Sequence, residues 1–154
     1  MNGLIMETPV GPLTILEDLH GICGIHFGDE RSADIIMEET PLLAEAKRQL
    51  NEYFSGVRKE FHLPLSINGT LFQKTVWKAL CTIPYGETRT YGQVAVQIGN
   101  PRGGRAIGMA NHNNPIAIVV PCHRVLGANG ALTGYAGGLH IKRALPELEG
   151  VVVK

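Results

Sequence analysis

Residues 90–111, TYGQVAVQIGNPRGGRAIGMAN, decide the fold of the second half of the chain. Apolar residues recur at helical spacing on both sides of a short Gly-Asn-Pro turn, and Thr90 is a residue type that caps helices. The stretch therefore predicts two helices, 90–98 and 103–111, with helix-turn-helix proportions. The second helix is rich in small residues, which suits a minor groove or a tightly packed neighbour better than the reading of base edges. The pattern alone leaves both explanations open.

The first part of the chain carries strand signals instead. Three short β-rich runs separated by Gly-Pro and His-Gly turns predict an antiparallel meander, and 61–65 predicts one more strand. Helical spacing over 41–54 predicts one helix. A boundary at 66–69 then gives an N-terminal α/β domain over 1–66 and a C-terminal, mostly helical domain over 67–154. The predicted fold class is α+β.

The bulk composition is that of a globular protein with a real core. Hydrophobic residues make up 44% of the 154 residues, no apolar run is long enough to span a bilayer, and no secretory signal is evident. The three cysteines are widely spaced and form no Cys-x-x-Cys pair. Such spacing argues against a disulfide framework or a zinc site, so we expect a cytoplasmic protein with free thiols and no metal.

The net charge of zero hides an uneven distribution. Residues 1–66 carry five Lys and Arg against eleven Asp and Glu, a net of −6. Residues 67–154 carry nine against three, a net of +6. A basic half suits a polyanionic partner such as nucleic acid. Attraction between the two halves is the alternative, and charge alone does not decide between them.

A candidate nucleophile lies in the segment PCHRV at 121–125, directly after the apolar run 116–120. The run predicts a buried strand that ends at the cysteine. The reactive form of cysteine is the thiolate, which a nearby imidazole or guanidinium favours. A strand end carrying Cys122, His123 and Arg124 therefore brings a nucleophile, a base and a cation together. An inert packed cysteine is the alternative reading of the motif taken alone.

Further motifs surround the cysteine segment in a fixed order along the chain. They are FQKTVW (72–77), IPYGETRTYG (83–92), GNP (99–101), RAIG (105–108), NNP (113–115), PCHRV (121–125), TGYAGG (133–138) and EG (149–150). These motifs resemble those of the methylated-DNA–protein-cysteine methyltransferases, in particular the bacterial single-function members. The resemblance covers about 69–150, with a thinner match at 7–13. The resemblance implies a ribonuclease-H-like first domain and a winged-helix-like second domain that contains the helix-turn-helix.

The resemblance also implies the activity. The alkyl group of O6-alkylguanine in DNA, and of O4-alkylthymine, would pass irreversibly to Cys122 in a single turnover. No cofactor and no metal is expected. The implied partner is double-stranded DNA containing O6-alkylguanine, with no membrane association. The protein is expected to be a monomer, and assembly along DNA is left open.

Catalytic roles follow from the resemblance at the matching positions. Cys122 would accept the alkyl group, and His123 would deprotonate it through a water. Glu149 would orient His123, and because Pro146 falls within the last helical pattern, Glu149 is expected to reach it from a turn. Asn114 would support the turn around the thiol. Tyr91 would sit beside the rotated nucleotide and donate a proton to the leaving base.

DNA-binding and pocket roles complete the set that the resemblance implies. Arg105 would fill the gap that the extruded base leaves in the stack. The other DNA-binding residues are expected to be Tyr91, Ala106, Gly108, Arg102 and Arg124. The guanine pocket is expected to be lined by Val125, Tyr135, Ala136 and Gly137. Ala136 replaces a serine found in some relatives, which leaves the accepted alkyl sizes open.

Three other functions fit less well. A related class binds the same lesions but has tryptophan at the acceptor position, which Cys122 argues against. A cysteine hydrolase would need an oxyanion hole, and no motif supplies one. A non-enzymatic helix-turn-helix protein would need several polar side chains on its reading helix, and 103–111 is too rich in small residues.

Overall fold

Three strands at the start of the chain form the predicted antiparallel meander. In the computed structural model, which describes residues 1–128, 130 and 138–153, they are β1 (Asn2–Met6), β2 (Leu13–Asp18) and β3 (Gly21–Phe27). A two-residue strand, β4 (Ile36–Met37), pairs parallel with β1 and gives the order β3-β2-β1-β4. The sheet is therefore mixed, with β4 as an unpredicted parallel edge.

One helix, α1 (Pro41–Phe54), packs against this sheet as predicted. Thr40 caps it by accepting a hydrogen bond from the Leu43 N–H at 3.2 Å. The strand predicted at 61–65 is wrong: the structure forms only an isolated bridge there, between Ile22 and Leu65. Pro64 explains the difference, because it has no N–H to donate to a ladder, although its carbonyl accepts from Ile22 N at 2.8 Å.

Helices dominate the rest of the chain. The elements in order are α2 (Leu71–Leu80), β5 (Arg89–Thr90), α3 (Tyr91–Gln97), α4 (Gly104–His112), a 3₁₀ turn (Cys122–Arg124), β6 (Val125–Leu126) and α5 (Leu139–Leu148). Thr70 and Thr90 begin α2 and α3 with capping boxes, in which a glutamine three residues on bonds back to the cap. Trp77 of α2 donates its indole N–H to the Ala110 carbonyl of α4 at 2.8 Å. The α+β fold class is confirmed.

The apolar run 116–120 does not form the predicted strand. Residues 117–119 turn, and Ile118 has φ +72°, a left-handed conformation that is rare for a β-branched residue. The run is nevertheless buried, so its apolar character reports burial and not conformation. Pro115 and Pro121 bracket it and limit ladder pairing at both ends. Cys122 therefore follows a tight turn and begins a 3₁₀ turn.

The described chain divides into two compact units. One contains residues 1–68 together with 115–117, and the other contains 69–114 and the chain from 118 onward. The sequence did not predict that residues 115–117 belong to the first unit. Ile25 explains it, because its N–H donates to the Pro115 carbonyl at 3.0 Å and its carbonyl accepts from Ala117 N at 3.1 Å. Within the described residues, no helix combines the length and apolar character needed to cross a membrane.

Candidate active site

The cysteine turn is held by side chains from two helices. Cys122 is only 3% exposed. Its carbonyl accepts from Asn111 Nδ2 on α4 at 3.3 Å and from Lys142 Nζ on α5 at 3.3 Å. Lys142 Nζ also donates to the Val125 carbonyl at 2.6 Å, so it spans both ends of the turn. The backbone around the thiol is thus fixed by two polar side chains that are themselves buried.

Asn114 supports the residues just before the thiol. Its Nδ2 donates to the Val120 carbonyl at 2.7 Å, and the Cys122 N–H donates to the same carbonyl at 2.8 Å. Asn114 therefore lies where the resemblance would have it act on the turn. Sequence reasoning passed over Asn111, which bonds the turn from one helical turn earlier in the chain.

His123 and Glu149 form a fully buried pair. Nε2 of His123 lies 2.7 Å from Oε2 of Glu149, and both side chains have no exposed surface. Glu149 is the C-cap of α5, directly after the last turn that contains Pro146. A carboxylate accepts only, so Nε2 must carry the proton and Nδ1 must be the free lone pair of a neutral ring. Nδ1 is buried and has no hydrogen-bond partner among the described residues.

The surroundings of His123 favour its neutral form. Burial lowers the pKa of His123 below its usual value, and the hydrogen bond and charge of Glu149 oppose that change. The positive charges of Arg124 and Lys142 lower the His123 pKa further. These surroundings favour a neutral imidazole ring whose free nitrogen, Nδ1, lies inside the protein.

Arg124, which was predicted to contact DNA, is buried within the protein. Its Nε and Nη2 donate to Glu149 Oε1 and Oε2 at 2.9 and 3.1 Å. Its Nη1 donates to the Ile83 carbonyl at 2.6 Å. The side chain is 9% exposed, and all three of its nitrogens bond within the protein. The guanidinium is therefore engaged by a buried carboxylate and a backbone carbonyl.

Lys142 is a second site residue that sequence reasoning missed. It is fully buried, and burial lowers its pKa to about 8. The signal was present in the spacing, because Lys142, Leu145 and Glu149 follow one another at i, i+3 and i+7 on the predicted last helix. Residues at that spacing share one helix face, which here faces the cysteine turn.

The predicted DNA-binding residues in α4 and just before it are more exposed than the predicted nucleophile. Arg102, Arg105 and Ala106 are exposed, whereas Cys122 is buried. Gly108 is half-buried beside Tyr91: a Cβ at that glycine would lie 3.9 Å from Cε1 of the tyrosine ring. Tyr91, the first residue of α3, therefore lies next to α4 and is half-buried.

Only part of the predicted guanine pocket lies within the described residues. Val125 is buried, and its strand β6 pairs with β5. Tyr135, Ala136 and Gly137 lie outside the described residues. No group of three or more His, Cys, Asp and Glu suited to a metal ion occurs in the part of the chain that the structure describes.

Comparisons with known proteins cover nearly the whole chain. The family model described as 6-O-methylguanine DNA methyltransferase, ribonuclease-like domain, matches residues 3–67, and that of the DNA binding domain matches 71–151. A methylated-DNA–protein-cysteine methyltransferase of Methanosarcina acetivorans is 52% identical over 150 residues, which are 95% of this chain and 96% of the relative. The relative of that name from Mycobacterium tuberculosis is 50% identical over 147 residues, 94% of this chain and 89% of its own.

Solved structures agree with these relatives. Mycobacterium tuberculosis OGT in complex with DNA has a TM-score of 0.91 and 48% identity, over 97% of this chain and 92% of that one. The O6-methylguanine methyltransferase of the same organism has a TM-score of 0.89 and 47% identity, over 96% and 92% of the two chains. The predicted family is thereby confirmed, and the chain belongs to the 6-O-methylguanine DNA methyltransferase family.

Proposed function

We propose that the chain repairs alkylated DNA by direct reversal, moving the alkyl group of O6-alkylguanine onto the Cys122 thiol. The observation that carries this proposal is the buried pair of His123, which directly follows Cys122, and Glu149, with one imidazole nitrogen left to accept a proton. The family supports it, because the relatives named above are methylated-DNA–protein-cysteine methyltransferases.

The reaction begins with deprotonation of the thiol. The proton of Cys122 passes through a water to Nδ1 of His123, and Glu149 stabilises the imidazolium that forms. The sulfur then attacks the alkyl carbon in line, the bond from that carbon to O6 breaks, and its electron pair leaves with guanine. Tyr91 supplies a proton to the leaving base, which makes guanine a better leaving group. The product thioether is not hydrolysed, so each molecule acts once.

Double-stranded DNA is the partner that fits the basic half of the chain. Residues 67–154 carry a net charge of +6, and Arg105 is exposed in the first turn of α4 with Arg102 exposed just before it. Since Cys122 is 3% exposed, a base within the duplex cannot reach it and must be extruded. Arg105 then occupies the space left in the stack, while Ala106 and Gly108 let α4 approach the minor groove closely. O4-alkylthymine, extruded in the same way, is a second substrate.

The remaining features of the proposal are the cellular compartment, the cofactor requirement, the guanine pocket and the oligomeric state. Three free cysteines fit a reducing cytoplasm. The chemistry needs neither cofactor nor metal, because the thiolate and the protonated base suffice. Val125 lines the guanine pocket. The protein acts as a monomer, with assembly along DNA left open.

Transfer is tested with a duplex that contains one O6-methylguanine. After incubation, peptide mapping by mass should find one methyl group on the peptide that holds Cys122, and at most one per protein molecule. The Cys122→Ala variant should bind the duplex with unchanged affinity and gain no methyl group. Cys81→Ala, which removes an exposed thiol, is the matched control and should react normally.

Two outcomes would contradict the proposal. More than one lesion repaired per protein molecule would point to a turnover enzyme. Lesion binding without any mass gain would point to a protein that binds the lesion without repairing it.

A further inference from the structure

We propose that Arg124 is a positioning residue of the repair reaction. By pairing with both oxygens of the Glu149 carboxylate, it keeps His123 neutral until the proton of the Cys122 thiol arrives. The inference rests on the proposed function, because it concerns the base of that reaction. It reassigns a residue that the sequence placed on the DNA surface.

The geometry makes Arg124 and His123 partners of the same carboxylate. Arg124 binds both oxygens of Glu149 in a bidentate contact, at 2.9 and 3.1 Å. Oε2, which accepts from Arg124, is also the oxygen that lies 2.7 Å from His123 Nε2. The three side chains are buried, so solvent does not screen their charges from one another.

The same arginine also fixes the orientation of the carboxylate. Its third nitrogen is anchored on the Ile83 carbonyl at 2.6 Å, and its guanidinium lies 5.8 Å from the centre of the Tyr85 ring. The Gly86 N–H donates to Glu149 Oε1 at 3.3 Å. The turn after α2 therefore holds both members of the ion pair, and Glu149 has little freedom to rotate away from His123.

The contact between Arg124 and Glu149 matters for proton transfer because it balances the charge of the carboxylate. A buried carboxylate paired only with an imidazole would draw a proton onto the ring, and an imidazolium cannot accept the proton of a thiol. Arg124 already neutralises Glu149, so the trio of Arg124, Glu149 and neutral His123 carries no net charge. The direction of the His123 pKa agrees, since Arg124 acts on it in the lowering sense.

Other charged groups near His123 do not replace Arg124. Lys142 approaches from α5, and it too lowers the pKa of His123, but its hydrogen bonds are to the carbonyls of Cys122 and Val125. Helix α2 also packs against the cysteine turn, and its buried residues are Val76, Trp77, Ala79 and Leu80. Arg124, by contrast, brings a permanent positive charge to both oxygens of the Glu149 carboxylate.

The test compares Arg124→Met with the wild-type protein by NMR of histidine-labelled samples, with the His123 signal assigned from a His123→Gln spectrum. We expect the His123 ring to take up its second proton at higher pH in Arg124→Met, by about one pH unit, the smaller end of the effect of a contacting charge. The acid limb of single-turnover methyl transfer from O6-methylguanine duplex should move to higher pH by a similar amount. Equal titration in both proteins would overturn the inference.

Two further variants separate the charge from the structural role. Arg124→Lys keeps the charge and should titrate like the wild type, even if it transfers methyl more slowly. Arg124→Met combined with Glu149→Gln removes both charges, so His123 should again stay neutral. If Arg124→Met does not fold, Arg124→Gln takes its place, because it keeps a donor for Glu149 without the charge. An Arg124→Lys titration that matches the uncharged variant would contradict the proposal.

The NMR titration does not depend on methyl transfer. If no protein variant transfers methyl from DNA but the His123 titration moves as expected, the proposed function fails and the role of Arg124 stands. If methyl transfer occurs and the titration is the same with and without Arg124, the repair function stands and the role of Arg124 fails.

Discussion

Glu149 is the residue on which the separate parts of the candidate site converge. Its two oxygens accept from Arg124, and they lie within hydrogen-bond distance of His123 Nε2 and Gly86 N. A fully buried carboxylate is stable only when such partners compensate its charge. The residue therefore has a structural task as well as its proposed chemical one, and experiments must separate the two.

Replacing Glu149 with glutamine should slow methyl transfer by about 10²-fold to 10³-fold, because the imidazolium loses the carboxylate that stabilises it. Single-turnover rates with O6-methylguanine duplex measure the change, and DNA affinity should stay the same. Glu147→Gln removes an exposed glutamate two residues earlier and serves as the control. An equal loss of rate in both variants would show that the effect is not specific to the His123 pair.

At the scale of single residues, the sequence predicted which residue types meet at the site. It did not predict which polar side chains are buried there. Cys122, His123 and Glu149 were named through the family motifs, and their roles stay predictions. Arg124 was assigned to DNA because an arginine after a cysteine gives no sign of whether a carboxylate lies behind it. Asn111 was missed because its task is to bind a backbone carbonyl, which leaves no mark in the sequence. Lys142 was missed because its helical spacing from Glu149 was not used.

At the scale of elements, helix α4 has two faces with different tasks. Ile107, Ala110 and Asn111 are buried, and Asn111 holds the cysteine turn. The opposite face exposes Arg105 and, one turn later, Met109, which is 62% exposed. The outer face of α4 therefore carries larger side chains than its abundance of glycine and alanine suggested.

Arg105→Ala tests the outer face of α4. We expect it to slow methyl transfer from duplex DNA by roughly ten-fold or more, since filling the gap in the stack repays a few kcal/mol of unstacking energy. Transfer from free O6-methylguanine base should be almost unchanged, because no extrusion is needed. Arg143→Ala removes an exposed arginine from α5 and should not distinguish the two donors. Equal slowing of both donors by Arg105→Ala would exclude the role in extrusion.

Trp77→Phe, a substitution in α2, tests the buried face of α4, which Trp77 contacts. The variant keeps an aromatic ring but removes the hydrogen bond to the buried Ala110 carbonyl. An unsatisfied buried carbonyl costs about 1–3 kcal/mol, so the free energy of unfolding in urea should fall by that amount. Circular dichroism follows the transition. Leu71→Ala, at an 84% exposed position of α2, should change it little.

The elements also mark where sequence patterns are informative. Thr90 indicated the start of α3, and Thr40 and Thr70 follow the same rule in the structure, because capping depends on residues adjacent in sequence. The run 116–120 was mistaken for a strand, because a fully buried segment is apolar on every side whatever its backbone does. The left-handed Ile118 could not be foreseen, since rules of local conformation assign that region to glycine.

For the molecule as a whole, Lys142 should leave a signature in the pH dependence of stability. Its pKa of about 8 in the folded protein lies below the 10.5 expected when the chain unfolds. Between these values the unfolded chain binds more protons, so this group makes unfolding less favourable as pH rises from about 8 toward 10.5. The stability of the wild type relative to Lys142→Met should therefore rise by about 2 kcal/mol from pH 8 to pH 10.

Urea unfolding of both proteins at the two pH values measures this difference. Comparing each with Lys78→Met, which removes an exposed lysine, controls for the general effect of losing a positive charge. A constant difference between wild type and Lys142→Met across the range would show that the buried lysine keeps its proton.

The overall organisation followed from the sequence better than its details. The change from strand spacing to helix spacing and the order of the motifs indicated an α+β chain. The parallel strand β4 and the packing of 115–117 against Ile25 escaped prediction. Both depend on pairing between residues far apart in the chain, which periodicity within one segment does not encode.

The hydrogen bond between Trp77 and Ala110 has a practical consequence for spectroscopy. Trp77 is the only tryptophan of the chain, and its indole is buried against the helix that carries Arg105. Any displacement of α4 must change the polarity around this single chromophore, and with it the emission spectrum. Intrinsic fluorescence should therefore report the position of α4 in stopped-flow experiments, without an attached dye and without background from a second indole.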